Sequence, residues 1–467
     1  MDEKRMKTTR YIKMTVAAGF ATIILMTGNA EAKEKNRLTF PDGSKMGEWF
    51  ADTARVDIVK LGEQYIVTEY GVRPNDSTTV QTEQLQSVID KAAKEGGGVI
   101  VIPKGTYLSG ALFFRQGTHL RIEEGGKLKG IDDIAHYPIR KTRIEGRTIR
   151  YFCALVNADS INGFSITGKG AIDGNGLRFW REFWIRREVN RECTNIEALR
   201  PRLIYISNCE DVSINDVSLQ NSAFWTTHIY RSKRIKIIGT RTYAPSAPVK
   251  APSSDAIDID NCEDVLISGC YMSVNDDAVA LKGGKGTWAD KDPDNGPNRN
   301  ILIENCTFGF VHSCLTLGSE SVEDHNIVMR NCKVEKAKRV LWLKMRPDTP
   351  QRYEYVAVEG ISGHSDNFLV IRPWTQFFAQ SEREDMPLSE CRDIRISDIK
   401  MECKKFYNVG ASDKYTLRHF TFENIDVRSA DTEFDTSIIE EARTKNVCIT
   451  SSGKAVDGST LSAGEAE

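Results

Sequence analysis

From Leu120 onward the chain repeats one short phrase, in which apolar and other residues alternate before closing on Asn, Asp or Gly. Instances are Val212-Ser213-Ile214-Asn215-Asp216, Val265-Leu266-Ile267-Ser268-Gly269, Ile301-Leu302-Ile303-Glu304-Asn305 and Phe420-Thr421-Phe422-Glu423-Asn424. Alternation with period two describes a strand with one buried face. The closing residue tolerates the left-handed backbone of a tight turn. Marking the first apolar residue of each phrase gives Leu120, Phe164, Val212, Ile235, Val265, Ile301, Ile327, Val356, Ile394, Phe420 and Val447. Most steps fall between 23 and 38 residues; the first two, 44 and 48, read as double steps. Short strands at that spacing, with no amphipathic helices between them, mark a β-solenoid. A propeller would need four strands in each repeat of about 40 residues. The expected fold is therefore all-β, a right-handed parallel β-helix over residues 70–450.

An open solenoid end must be covered. Residues 82–94 (TEQLQSVIDKAAK) form the one convincing amphipathic helix, with Leu85, Val88, Ile89 and Ala92 on one face, and are the expected N-terminal cap. Residues 33–69 are an extension, and 451–467 a disordered tail. Residues 1–32 read as a cleaved secretory signal: Lys4, Arg5, Lys7, Arg10 and Lys13, then an apolar run from Met14 to Gly28, then Ala30-Glu31-Ala32. That run is too short to span a bilayer comfortably. The expected protein is exported to the periplasm or beyond, a monomer with no membrane span once mature.

Composition adds exclusions. At 27% charged and 40% hydrophobic, the 467 residues suit a soluble globular protein. A net charge of −2 argues against a nucleic-acid partner. The eleven cysteines are too sparse for a disulfide scaffold. Cys209, Cys262, Cys306 and Cys332 each follow an Asn, the pattern of a buried ladder along a repeat. No histidine spacing marks a metal site, and Gly283-Gly284-Lys285-Gly286-Thr287 lacks the spacing of a phosphate loop.

Used as a ruler, the repeat stacks Ser254-Asp255-Ala256-Ile257-Asp258-Ile259 under Asp276-Asp277-Ala278-Val279-Ala280-Leu281, one coil of about 4.8 Å later. Asp255 and Asp277 then fall above one another with Asp276 beside them, provided the pair sits where the strand begins and the backbone bends. Three close carboxylates raise at least one pKa. An acid beside an ionised partner can hydrolyse an acetal, by protonating the leaving oxygen and activating water. A solvated acidic turn or a calcium site is the bland alternative. His312 and Lys344 follow on successive coils. Lys344 and Arg346 should share a strand face and offer two cations to an anionic sugar, with Trp342 in phase as a stacking surface.

These strings resemble glycoside hydrolase family 28, the polygalacturonases and rhamnogalacturonan hydrolases. Gly170-Ala171-Ile172-Asp173-Gly174-Asn175-Gly176 is similar to that family's GxIDGxG turn, and Asn221-Ser222 with Trp225 and His228 to its NSPxW segment. The family's NTDG, DD, GHG and RIK appear as Ser253-Ser254-Asp255-Ala256, Asp276-Asp277, Val311-His312-Ser313 and Trp342-Leu343-Lys344. The resemblance implies a pectic substrate, inversion and no cofactor. It makes Asp276 the general acid, with Asp255 and Asp277 holding water, His312 tuning the acid and Lys344 binding a substrate carboxylate. The departures touch the NTDG Asn and Gly, both glycines of GHG, and the arginine of RIK. The long loop from Lys282 to Arg299 resembles exo-acting members that wall off one end of the groove. A β-helix polysaccharide lyase and a non-catalytic carbohydrate-binding solenoid are the alternatives.

Overall fold

The computed structural model describes residues 39–376 and 383–452. The expected signal at 1–32, and the expected tail beyond its first two residues, lie outside them. The chain divides into two compact units, 1–52 and 53–467. In the described part of the first, the Phe40 ring meets Phe50 edge-on at 5.2 Å.

In the second unit the phrases stack as a right-handed parallel β-helix. Among the described residues, 28 strands join in one sheet whose pairings are parallel. Val212, Ile235, Val265, Ile301, Ile327, Val356, Ile394 and Phe420 stand in one register column, and all are buried. Each is held by hydrogen bonds to the coil before and after, and its side chain fills the interior. The phrase-closing Asp216, Gly269, Asn305, Asn331, Asp398 and Asn424 all have φ between 53° and 64°, the left-handed turn expected of them. Two markers slip. Leu120 pairs with Ile166 rather than Phe164, and Val447 pairs with Ile425 on a neighbouring column.

Helix α1 (Thr82–Lys94) buries Leu85, Val88, Ile89 and Ala92 against the first coil. Gly97 follows it at φ +104, where a Cβ would stand 2.5 Å from the Gly117 carbonyl oxygen; only glycine lets the helix end so close to the next coil. Below residue 70, Gln64–Ile66 already pairs with Gly98–Ile102.

The double-step expectation is wrong. Thr118–Ile122, Ser165–Thr167 and Glu210–Asn215 are consecutive neighbours in the sheet, so both long steps are single coils. Their extra length leaves the solenoid: an antiparallel hairpin (Ile139–Ile144 with Arg147–Phe152) in the first, and helix α2 (Leu177–Val189) in the second. A helix between coils thus exists where none was expected. Its Phe179, Trp180 and Phe183 are buried while Arg178 and Arg181 interleave with them, so no clean hydrophobic period marks it.

All eleven cysteines are unbridged and ten are buried. Five of them stand in two ladders rather than one. Cys209 and Cys262 sit at one turn, where Ser232 separates them, while Cys270, Cys306 and Cys332 stack at another. An Asn precedes Cys209 and Cys262 at one turn and Cys306 and Cys332 at the other, which is why sequence alone merges them.

Candidate active site

The ruler holds at the acidic residues. Ile257, Asp258 and Ile259 pair with Val279, Ala280 and Leu281, and the Ala256 N–H donates to the Asp277 carbonyl at 3.0 Å. One coil further, Asp277 pairs with Ser313, and the His312 N–H donates to the Asp276 carbonyl at 2.9 Å. Asp277 opens the strand Asp277–Lys282 and Asp276 lies in the bend before it. That bend is pinned: the Asn275 N–H donates to Ser254 Oγ at 3.0 Å, and the Asn275 amide donates to the carbonyls of Ala244 and Pro245. Ser254, at the Thr position of the family string, thereby ties the coil of Asp255 to the coil of Asp276.

One carboxylate oxygen from each of Asp255, Asp276 and Asp277 comes within 4.8 Å of the others. Their surroundings separate them. Burial pushes the Asp276 carboxyl up to about 6, with repulsion from Asp277 adding to it. Burial acts upward on Asp277 too, but Lys344 and Lys282 outweigh it and hold that carboxyl below the usual range. Lys344 Nζ donates to Asp277 Oδ2 at 3.0 Å. Burial and the negative charges of Asp276 and Asp258 drive Asp255 well up. Adjacent carboxylates pushed in opposite directions are the signature of an acid beside a base. Asp276 is also the most accessible, its side chain 31% exposed against 1% for Asp277. His312 Nδ1 stands 3.8 Å from Asp276 Oδ1.

The cavity over these groups measures about 370 Å³. Helix α2 contributes Phe183, Trp184 and Arg187 to it; the solenoid contributes Trp225, Trp342 and Trp374. Tryptophan faces between charged groups suit the alternating apolar and hydroxylated surfaces of a sugar. Lys282, Asp258 and Glu320 escaped the sequence analysis. Lys282 is buried beneath the acids, with Nζ 3.3 Å from Glu320 and 3.9 Å from Asp258. Lone charges at alternating strand positions read as a solvated face, so only the three-dimensional register exposes them.

Two expected ligand groups are placed differently. Lys344 reaches the site, but its ammonium sits on Asp277, between Trp342 (4.1 Å) and Trp374 (4.8 Å). Arg346 does not line the cavity. Its guanidinium is buried and grips Asp348 in a two-pronged pair at 2.7 Å, so its charge is spent two residues along its own loop. Of the NSPxW-like residues, Trp225 lines the cavity, while His228 is buried beside it. Burial brings His228 down to about 4, which leaves it neutral and able to accept from Arg202 at 2.6 Å.

One end of the cavity is walled. The hairpin turns at Glu145-Gly146, both with positive φ, and Glu145 lines the cavity. A Cβ on Gly146 would stand 2.7 Å from the Cβ of Glu320 and 3.0 Å from that of Lys285. Hairpin tip, long loop and Glu320 therefore meet. The hairpin is anchored from below: Arg143 donates to Asp260 at 3.1 Å, and Arg202 donates to the Arg143 carbonyl and to Thr142 Oγ1.

Residues 99–361 match the family model for the glycosyl hydrolases family 28, more than half of the chain. The chain belongs to glycosyl hydrolase family 28. A "Probable polygalacturonase" of Vitis vinifera is 28% identical over 52% of this chain; the alignment spans 49%, about half, of that relative's length. An endo-polygalacturonase of Pectobacterium parmentieri is 22% identical over 77% of this chain and 88% of its own. Among solved structures, an exopolygalacturonase from Thermotoga maritima superposes with a TM-score of 0.67 at 21% identity, covering 83% of this family 28 chain and 92% of its own.

Proposed function

We propose that this protein is an exported, exo-acting hydrolase of galacturonic-acid-containing pectic saccharides, galacturonan or rhamnogalacturonan, that inverts the anomeric centre. The carrying observation is the pair Asp276 and Asp277, adjacent carboxyls whose surroundings push them apart. Asp276, protonated below about pH 6, donates a proton to the departing glycosidic oxygen. Asp277, ionised by Lys344 and Lys282, takes a proton from the attacking water, with Asp255 holding that water beside it. His312, 3.8 Å from Asp276, favours the acid's return to its starting protonation state. Lys344 acts on the substrate chiefly through Asp277. No metal enters this scheme.

Family membership and the polygalacturonase names of the relatives support the pectic substrate. The contact of Gly146 with Glu320 and Lys285 supports exo action, because a groove closed at one end admits a chain terminus and stops it there. Digestion of oligogalacturonates and rhamnogalacturonan oligosaccharides, with products separated by size, tests both points. The expected pattern is steady release of one small product from the chain end while long chains persist. Early accumulation of mixed lengths would reject exo action, and cleavage of neutral glycans alone would reject the substrate.

Among the described residues no helix is long and apolar enough to cross a membrane. Export rests on the signal-like residues 1–32. Protein recovered from its native host should begin near Lys33, and a mature N-terminus retaining Met14 to Gly28 would refute cleavage.

A further inference from the structure

The groove face does not end at the wall. The register column through Asp258 continues as His228, Tyr205 and Asn157, and that through Lys282 and Asp260 continues as Tyr230, Ser207 and Asp159. Behind the hairpin Asn157, Asp159, Tyr205, Ser207 and Tyr230 floor a second cavity of about 470 Å³. Five cations line it, Arg115, Arg140, Lys141, Arg143 and Arg231, against the carboxylates of Asp159 and Asp294.

The acids leave several of those charges uncompensated. Asp159 accepts from Ser207 and Asn208, Arg231 faces Asp294 at 3.6 Å, and Arg115 is paired with Asp90 at 2.9 Å. Arg140 stacks on the Phe113 ring at 3.9 Å, and neither it nor Lys141 has an acidic partner among the described residues. Arg143 is fully buried. Its Nε is bonded to Asp260, but Nη1 and Nη2 find no acceptor among the described residues. Arg143 is closed off from the cavity and acts on it only through space, so the groups that can bond an entering carboxylate are the exposed Arg140 and Lys141. Phe113, Tyr205 and Tyr230 add ring faces of the kind that stack on sugars.

We infer that this walled-off cavity is a second, non-catalytic binding site for a uronate-bearing saccharide. The sugar class rests on the pectic reading above; the demand for an anion stands on the cavity itself. Two sources share this chemistry, a short released product and a segment of a longer pectic chain.

The test uses the full chain carrying Asp276→Asn, so that nothing is consumed, titrated calorimetrically with digalacturonate. Two sites per chain are expected. Adding Arg140→Ala and Lys141→Ala, both at exposed positions, should weaken one site by about tenfold or more and spare the other. In the active chain the same two substitutions should leave turnover of a short oligogalacturonate unchanged. One site only, two sites indifferent to the double substitution, or equal occupancy by inorganic sulfate or a neutral digalactoside would overturn the inference. No binding at either site would instead defeat the uronate reading of the protein. Retention of the double variant on immobilised galacturonan separates the sources. Weakened retention assigns the cavity to the polymer, and unchanged retention with weakened digalacturonate binding assigns it to product.

Discussion

Asp276→Asn is expected to lower kcat on oligogalacturonates by about 10²- to 10⁴-fold while changing KM little. The amide matches the carboxyl in size, keeps the accessible position at the mouth of the bend, and cannot deliver a proton. Proton donation matters only as the glycosidic bond breaks, so the loss should fall on turnover rather than on binding. The parent should also lose activity as pH rises through about 6, because the burial and repulsion that raise Asp276 set the point at which the acid is spent. Steady-state kinetics from pH 4 to 8 checks both statements. A variant that keeps its parent's kcat would remove Asp276 from the chemistry.

Lys344→Met should cost about 3–5 kcal/mol of stability, because it leaves Asp277 as a buried carboxylate stripped of its hydrogen-bonded partner. The sign with pH follows from Asp277. In the parent its folded pKa is depressed, so the pair's stabilisation is present above the unfolded value near 3.9 and fades as pH falls through the folded one. Parent and variant should therefore differ most above about pH 4 and converge in more acid solution. Catalysis moves the other way. With Lys344 gone, burial dominates and Asp277 rises, so the acid-side limb of the pH–rate profile shifts to higher pH. Thermal unfolding and the rate profile of the same variant measure the two effects. An unshifted acid limb would mean that Lys344 contacts substrate rather than tuning the base.

The solenoid and the three acids were legible because one period governs both. A strand phrase that repeats coil by coil sets which residues stack, and Asp255 under Asp277 is a direct consequence of that register. The capping helix was legible for the same reason, its apolar face recurring at helical spacing. What was hidden lies where the period breaks. The hairpin at 139–152 and helix α2 occupy the two overlong coils, and an insertion carries no register from its neighbours. Those insertions build the wall and one side of the cavity over the three acids. Arg346 misled for a different reason. Its strand phase points toward the groove, but Asp348 captures the guanidinium locally, and alternation does not register a partner two residues away in a loop. Lys282 enters the sequence pattern only as the start of the long loop, and nothing local shows that the fold surrounds it with Asp258 and Glu320.

Asp276 is expected to act as general acid on the leaving oxygen and Asp277 as general base on water, rather than as nucleophile. Inverting hydrolases hold their carboxyl groups about 6.5–9.5 Å apart and retaining ones about 5–5.5 Å. The closest oxygens of this cluster lie within 4.8 Å, so inversion rests on the family resemblance and on the ionised, water-accepting character assigned to Asp277. Proton NMR of the first sugar released from an oligogalacturonate, recorded before mutarotation, decides it. The expected product is the anomer opposite to that of the substrate linkage. The same anomer would contradict the water-activating pair, and an unsaturated, ultraviolet-absorbing product would replace hydrolysis with elimination.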